Sequence, residues 1–307
     1  MKYTIATRGS QLALWQAEHV KSELQKLDPS LEIELNIIKT QGDIILDTSL
    51  AKIGGKGLFV KEIETALLDK TADIAVHSMK DMPTELPEGL TLASILERED
   101  PTDAFVSNTY NNFSELPEGA VIGTSSLRRS SQLLAESKYE IKLLRGNVNT
   151  RLRKLDEGQY DAIILASAGL KRLEFGDRIK SSFPVEKMIP SAGQGAVGVE
   201  CREDDTKLLE LLAKLNNSES AAAVKAEREF NSVVGGSCQI PAGCHVQISG
   251  NEFKMYGFIA DTTGLPIYKA ELEGTLGELP GSGAELGKTL LEEGGQEILD
   301  KLLPKNG

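Results

Sequence analysis

Short runs rich in β-branched residues alternate with segments of helical periodicity through the first two thirds of this chain of 307 residues. The alternation predicts parallel sheets with helices on both faces, because a chain that forms successive parallel strands must return between them by a crossover. It occurs in two series. We therefore expect an α/β protein of two doubly wound lobes, resembling two-domain anion-binding proteins, with ligands bound where strands end.

Each series can be assigned to strands and helices. The first is predicted to have strands at 3–7, 31–39, 73–77 and 91–96 and helices at 11–27 and 58–69. The second is predicted to have strands at 103–107, 121–123, 141–144 and 162–166 and helices at 127–137 and 148–157. A further strand at 196–200 is expected to return to the first sheet.

The last third of the chain has a different pattern, which predicts a small C-terminal α+β domain. A helix at 207–215 is followed by a polar boundary at 216–218. Beyond it we predict helices at 221–231 and 285–303 and strands at 245–249, 253–259 and 267–272. The predicted domains are 1–97 with 196–215, then 98–195, then 218–307, the last carrying a glycine-rich cysteine loop.

The charge distribution indicates a site for a small polyanion. The net charge of −12 argues against a nucleic-acid-binding surface. Residues 124–172 nevertheless hold ten cationic and five acidic side chains, including six of the eleven arginines. A solvated helix face explains Arg153 and Lys154, which we expect to face solvent, but not the arginines at strand ends.

Neither a membrane location nor a disulfide framework is predicted. The apolar runs are far shorter than the roughly 20 residues that a spanning helix needs, and the first residues do not form a secretory signal, so we expect a cytoplasmic protein. The three cysteines are Cys201, Cys238 and Cys244, which cannot all pair. The spacing of Cys238, Cys244 and His245 does not predict a metal site.

Two strand–helix junctions share one pattern. Residues 5–12 and 122–129 each run from a strand through hydroxyl side chains and arginine into a helix. Backbone N–H groups at a helix start bind anions, although the same hydroxyls would also serve as ordinary helix caps. An arginine at both junctions favours the anion site.

A polar segment, His77-Ser78-Met79-Lys80-Asp81, follows a buried strand. Lys80 can pair with a carboxylate, and Asp81 can stabilise a cationic intermediate or move a proton. A plain surface turn before Pro83 is the alternative.

Two further loops carry candidate functional groups. Lys52 and Lys56 flank a glycine pair, and because the Gly-Lys is not followed by Ser or Thr, a cationic lid is a better interpretation than a nucleotide loop. Cys238 lies in the loop Gly235-Gly236-Ser237-Cys238-Gln239, where an accessible thiol would be a nucleophile and a buried one purely structural.

Together these motifs resemble those of the porphobilinogen deaminase family, in the family's order and over essentially the whole chain. They are Thr7-Arg8-Gly9-Ser10-Gln11-Leu12-Ala13, Gly54-Gly55-Lys56-Gly57-Leu58-Phe59, His77-Ser78-Met79-Lys80-Asp81-Met82-Pro83, Gly123-Thr124-Ser125-Ser126-Leu127-Arg128-Arg129, Leu144-Arg145-Gly146-Asn147-Val148, Ala168-Gly169-Leu170-Lys171-Arg172-Leu173, Gly193-Gln194-Gly195 and the cysteine loop. The C-terminal domain resembles the family mainly through that loop.

The resemblance implies a transferase of tetrapyrrole (haem-type) biosynthesis. Members condense four porphobilinogen molecules head to tail, release ammonia, and build linear hydroxymethylbilane on a covalent dipyrromethane primer. The primer is held by a cysteine thioether, a position occupied here by Cys238, although Ser237 separates it from the glycine pair. The family's carboxylate over the pyrrole nitrogens corresponds to Asp81. We expect a monomer whose partner is the small-molecule substrate, without nucleic acid, membrane or metal.

The resemblance also implies roles for the cationic and hydroxyl side chains, since every pyrrole carries two carboxylates that arginine pairs well. The expected catalytic residues are Asp81, Lys80 and Arg8. Those expected around the primer are Cys238, Ser78, Lys80, Asp81, Thr124, Ser125, Ser126, Arg128, Arg129, Arg145 and Gly146. Those expected around the substrate and growing chain are Arg8, Ser10, Lys52, Lys56, Phe59, Arg151, Arg172 and Gln194.

A different class of function has the same fold-level features. Two doubly wound lobes with anion sites would also suit a carboxylate receptor without chemistry, since a fold does not fix a function. Cys238 and Asp81 discriminate between the two, because a receptor needs neither a thiol on a glycine loop nor an acid among cations.

Overall fold

A computed structural model of the protein describes residues 1–44, 57, 60–136, 139–235 and 240–302. The chain divides into two compact units. Of the described residues, the first unit holds 1–44, 57, 60–99 and 195–221, and the second holds 100–136, 139–194, 222–235 and 240–302. Within these ranges no helix has the length and apolar character needed to cross a membrane.

The first unit is built on a five-stranded sheet of order β2-β1-β3-β10-β4. Its strands are β1 (Lys2–Arg8), β2 (Glu32–Ile38), β3 (Ile74–Ser78), β4 (Leu90–Ile95) and β10 (Val197–Arg202). Its helices are α1 (Gln11–Leu27), the short α2 (Gln41–Ile44), α3 (Lys61–Leu68) and α7 (Thr206–Leu212). Helices cover both faces: along β1, Ile5 packs with α1 and α7, whereas Ala6 packs with α3.

The second unit contains a sheet of the same form, with order β7-β6-β8-β5-β9. Its strands are β5 (Asp103–Val106), β6 (Val121–Gly123), β7 (Glu140–Lys142), β8 (Ala162–Ala166) and β9 (Ser181–Phe183). Its helices are α4 (Leu127–Glu136), α5 (Val148–Asp156) and α6 (Ser167–Arg172). Ile163 and Ile164 on β8 point to opposite cores, so this sheet is also covered on both faces.

Strand direction departs from the all-parallel expectation in both sheets. β1 is parallel to β2 and β3, and β6 is parallel to β7 and β8. β10 and β5, which hold the equivalent fourth place, are antiparallel to their neighbours. β10 returns to the first sheet as predicted. The junctions after β1 and β6 are therefore equivalent in the two sheets, as their shared sequence pattern suggested.

The second unit also contains the small C-terminal α+β part. An antiparallel sheet is formed by β11 (Ala242–Ser249), β12 (Glu252–Ala260) and β13 (Ile267–Thr275), and the helices are α8 (Ser218–Val234), α9 (Ser282–Leu290) and α10 (Gln296–Leu302). The prediction of one helix at 285–303 was wrong. Gly294, at φ +128°, breaks the helix between α9 and α10, and a side chain there would meet the ring of Tyr268.

Candidate active site

The junction after β1 positions two of the predicted site residues. Arg8 is the last residue of β1, and Ser10 caps α1 by accepting a hydrogen bond from the Ala13 N–H at 3.3 Å. Buried Thr7 donates from Oγ1 to the Ala13 carbonyl at 3.1 Å. Strand, turn and helix start are thus tied together, which fixes where the partly buried Arg8 leaves the sheet.

The end of β3 brings further predicted residues to the same place. Ser78 ends the strand and accepts a hydrogen bond from Gln16 Nε2 at 2.9 Å. A single helical turn, Met79–Asp81, then presents Lys80 and Asp81, both partly buried. The buried Met79 side chain anchors the turn.

A pocket of about 70 Å³ lies between these two strand ends. Its polar lining consists of Arg8, Ser10, Gln16, His77, Ser78 and Asp81, and its apolar lining comes from α1, α3, β3 and the residue before α3. Of the described residues, this lining includes Asp81 but not Lys80. The pocket therefore offers one guanidinium, one carboxylate and several neutral hydrogen-bonding groups to a ligand.

The equivalent junction after β6 is also organised by hydroxyl groups. Thr124 is buried, and its Oγ1 accepts a hydrogen bond from the Ser126 N–H at 3.2 Å. Ser126 Oγ in turn accepts from the Arg129 N–H at 3.4 Å, at the start of α4. Ser125 is partly buried beside them.

Arg128 and Arg129 are buried, and their guanidinium groups share one carboxylate, that of Asp103. Asp103 lies 2.7 Å from a nitrogen of each, and its side chain is fully buried. The remaining Arg128 nitrogens donate to Ser191 Oγ and the Ile189 carbonyl, and Arg129 also donates to the Ile164 carbonyl. Every nitrogen of both guanidinium groups thus has a partner inside the second unit.

Gln194 completes this cluster. Its Nε2 donates to Asp103 at 3.0 Å and to the Pro101 carbonyl at 2.7 Å, and it is 1% exposed. Burial alone raises the pKa of Asp103, but the charges of Arg128 and Arg129 and the hydrogen bonds outweigh it and leave a pKa of about 2. With the carboxyl ionised, the two arginines and one aspartate carry a net positive charge.

The remaining predicted residues of the second unit lie along the loop before α5 and at the end of α6. Gly146 has φ +112°, and a Cβ there would come within 2.7 Å of the Thr150 side chain, so glycine is required. Its carbonyl accepts from Arg151 Nε at 2.8 Å. Arg145, Arg151 and Arg172 are partly buried. Arg153 is exposed and pairs with Glu157, whereas Lys154 is only partly exposed and donates to the Arg145 carbonyl.

Several predicted residues lie outside the described part of the chain. These are Lys52, Lys56, Phe59 and Cys238. The chain on either side of the cysteine loop is described: α8 ends at buried Val234, Gly235 has φ +69°, and Ile240 is buried. The other two cysteines, Cys201 and Cys244, have no exposed surface.

Four residues that organise these sites had no role predicted from the sequence. Gln16 and His77 line the pocket, Asp103 holds the arginines, and Glu200 lies 2.9 Å from His77 Nε2. Each had a sequence signal, namely a polar residue on an otherwise apolar strand or helix face. Gln16 lies among buried Ala17, Val20 and Leu24, for example.

A carboxylate and an arginine lie at neighbouring strand ends, and a second, arginine-rich junction lies in an equivalent sheet. This arrangement is typical of proteins that bind charged small molecules. Comparison with protein families identifies the chain further. Residues 3–210 match the model described as porphobilinogen deaminase, dipyromethane cofactor binding domain, and residues 221–294 match porphobilinogen deaminase, C-terminal domain. The chain belongs to the porphobilinogen deaminase family. It is a transferase that makes hydroxymethylbilane in tetrapyrrole biosynthesis, and it contains the domain that binds dipyrromethane.

Solved structures similar to this chain include periplasmic solute-binding proteins. One is an ABC transporter substrate-binding protein from Coxiella burnetii, with TM-score 0.43 and 14% identity over 73% of this chain and 96% of that one. A TRAP solute-binding protein from Desulfovibrio salexigens gives a TM-score of 0.44 and 12% identity, over 72% of this chain and 73% of that one. The BvgS VFT2 domain of Bordetella pertussis gives a TM-score of 0.41 and 16% identity, over 72% of this chain and 91% of that one.

Proposed function

We propose that the pocket of the first unit binds porphobilinogen and that Asp81 is its catalytic carboxylate. The observation that carries this proposal is the convergence of Arg8, Ser10, Ser78 and Asp81 from two strand ends on one pocket. Porphobilinogen carries two carboxylates and an ammonium group. Arg8 pairs with a carboxylate, the hydroxyls and Gln16 donate further hydrogen bonds, and Asp81 supplies the only carboxylate among the described lining residues.

Asp81 acts on the charge that develops during the reaction. When ammonia leaves porphobilinogen, positive charge spreads onto the pyrrole nitrogen, and a proton must later leave the ring that has been joined. A carboxylate held near the pyrrole N–H stabilises both cationic species more than it stabilises the neutral substrate. Such differential stabilisation lowers the activation barrier.

We further propose that Cys238 carries the dipyrromethane group. Two of the three cysteines are excluded by burial, since Cys201 and Cys244 have no exposed surface and burial raises the pKa of Cys201 to about 11. Cys238 follows the end of α8 in a glycine-rich loop. When bound, dipyrromethane supplies the pyrrole carbon from which the product grows.

The second unit fits a group with several carboxylates. The cluster of Arg128, Arg129 and Asp103 gives a net positive field, and Arg145 and Arg151 lie in the loop and helix that follow β7. We assign carboxylates of the primer and growing chain to Arg145 and Arg151, with Thr124, Ser125, Ser126 and Gly146 as donors. Arg128 and Arg129 attract the same carboxylates through their net positive field, since their nitrogens already have partners. Arg172, with Lys52, Lys56, Phe59 and Gln194, is assigned to the substrate and growing chain. Lys80 assists Asp81. The proposed enzyme is a cytoplasmic monomer.

The experiment that tests the pocket compares variants of Asp81 in single-turnover kinetics. Asp81→Glu keeps the charge one methylene away and should retain partial activity. Asp81→Ala and Asp81→Asn should both be slower by about 10³-fold, because an amide neither balances a positive charge nor accepts the proton. Glu85→Gln, an exposed acid four residues further on, is the matched control and should behave like the wild type.

The Asn variant decides the role of Asp81. If Asp81→Asn turns over as fast as Asp81→Glu, the position supplies a hydrogen bond rather than a charge, and the proposed mechanism is wrong.

A further inference from the structure

A buried cluster of three titratable residues lies behind the pocket. His77, on β3, lines the pocket, and its Nε2 is 2.9 Å from Glu200 Oε2 on β10. Glu64, on α3, is 7% exposed and is the third member, because it interacts electrostatically with both Glu200 and His77. Glu64 Oε1 and Glu200 Oε1 are buried without a hydrogen-bond partner in the described part of the chain. Neither of these two carboxyl groups takes part in the function proposed above.

The charges around Glu64 come from the strands that α3 covers. Burial is the main cause that raises the pKa of Glu64 to about 7; Glu200 on β10 raises it further, and His77 on β3 lowers it. β4 contains no titratable side chain, and β1 contributes apolar Ala6 to the contact with α3. Arg8, at the end of β1, lines the pocket itself.

We propose that Glu64 is a positioning residue that acts through His77 and Glu200 on the pocket, so that loss of its proton weakens the binding of porphobilinogen. This inference rests on the proposed substrate pocket. Ionisation of Glu64 adds one negative charge to a cluster that already contains the carboxyl group of Glu200. The third member of the cluster, His77, forms part of the pocket wall. A substrate with two carboxylates is repelled by the charge on Glu64, because the protein interior screens charges less than bulk water does.

The coupling is reciprocal, because a ligand that binds the protonated cluster better must itself favour its protonation. The effect belongs to binding rather than to the chemical step, since Glu64 does not line the pocket where bonds change. It should therefore change KM and leave kcat nearly unaltered. Glutamine has the shape of a protonated glutamate, so Glu64→Gln fixes the cluster in its binding-competent charge state.

The test is the ratio of KM for the wild type to KM for Glu64→Gln across pH. We expect a ratio near one at about pH 6 that rises to about three- to tenfold at about pH 8.5, with kcat similar in both proteins. Asp69→Asn is the matched control, because Asp69 is an exposed acid at the end of the same helix. Its ratio to the wild type should stay near one throughout. Other titratable groups are the same in both proteins, so their effects on KM cancel in these ratios.

A second comparison tests the role of Glu200. Without the charge of Glu200, Glu64 should lose its proton at lower pH. The corresponding ratio is KM for Glu200→Gln divided by KM for the double variant Glu64→Gln/Glu200→Gln. This ratio should begin to rise at lower pH than the ratio of the wild type to Glu64→Gln. A rise at unchanged pH would overturn the proposed cluster.

The inference is overturned if the ratio of KM for the wild type to KM for Glu64→Gln stays at one across pH. It is also overturned if the ratio for Asp69→Asn rises by the same amount. Arg8→Leu distinguishes this failure from failure of the pocket itself. If Arg8→Leu raises KM while the Glu64 ratio stays flat, the pocket stands and only the role of Glu64 is wrong. If Arg8→Leu leaves KM unchanged, the proposed substrate pocket is wrong.

Discussion

At the scale of single residues, the most consequential contact is the one that Asp103 makes with two adjacent arginines. Arg128 and Arg129 are 4% and 5% exposed, and their guanidinium nitrogens are already used by Asp103, Ser191 and backbone carbonyls. Removing one partner from a buried ion pair leaves an uncompensated charge. These arginines therefore stabilise the second unit whatever they contribute to ligand binding.

Arg129→Leu should destabilise the protein by about 3–5 kcal/mol, the cost of removing one partner from a buried ion pair. Denaturant unfolding measures the loss, and intact mass on the same sample shows whether the primer is still attached. Arg153→Leu is the matched control: Arg153 is exposed and pairs with Glu157 on the surface, so the change should be within about 0.5 kcal/mol. Unfolding of Arg129→Leu that matches the wild type would contradict the structural role.

The pKa of Asp103 gives this prediction a pH dependence. The carboxyl has a pKa of about 2 in the folded protein and an ordinary value of 3.8, so its contribution to stability is present above about pH 4. It is lost as the pH falls towards 2. In Arg129→Leu one cation is removed, so the pKa of Asp103 in the folded protein lies closer to 3.8. This acid-dependent loss should therefore be smaller than in the wild type and complete at higher pH.

At the scale of elements, the packing of α3 depends on the protonation of one buried carboxyl group, that of Glu64. Its apolar residues Ile63, Ala66 and Leu67 pack against the first sheet, and Glu64 is buried beside them. A carboxyl group with a raised pKa holds its proton more tightly in the folded state than in the unfolded state. The contribution of Glu64 to stability is therefore fully present below about pH 4.5 and is lost as the pH rises through about 7.

Glu64→Gln should remove this loss, because glutamine does not titrate. Relative to the wild type, the variant should gain about 2–3 kcal/mol at about pH 8 and little at about pH 4.5. Unfolding by denaturant at the two pH values measures the difference. Asp69 is exposed at the end of the same helix, so Asp69→Asn should have the same free energy of unfolding as the wild type at both pH values. A variant that is less stable than the wild type at pH 8 would show that the Glu64 carboxylate is stabilising instead.

Element by element, the sequence predicted most strands and helices but not their directions. The antiparallel β5 and β10 follow from strand pairings made far apart in the chain, which local periodicity does not encode. β9, Ser181–Phe183, is only three residues long and carries no alternation, so it was not predicted. The break at Gly294 is set by its conformation and by Tyr268, neither of which helical periodicity reveals.

The site was predictable to a similar degree. Arg8, Ser10, Ser78 and Asp81 were identified from their motifs, and the structure brings them to one pocket. Their supporting residues were not, because a sequence shows that an arginine is present but not whether its partner is a ligand or a buried acid such as Asp103. The roles of these residues in binding and catalysis, and the domain boundaries at 97, 195 and 218, stay predictions.

At the scale of the whole molecule, the account requires two sites of different kind. One is the pocket of the first unit, which holds an acid beside a cation, and the other is the arginine-rich second unit, whose chain continues into the cysteine loop. Family membership makes the chain a transferase that assembles hydroxymethylbilane. The covalent attachment that we propose at Cys238 connects that activity to this particular chain.

Intact mass of the purified, active protein tests the central claim most directly. We expect a mass above that of the 307-residue chain by two linked pyrroles, with further increments of one pyrrole after porphobilinogen is added. Cys238→Ser should fold and show the unmodified mass, because a hydroxyl replaces the thiolate poorly as a nucleophile, whereas Cys244→Ser should keep the increment. An unmodified mass for active wild-type protein, or a normal increment on Cys238→Ser, would contradict the account.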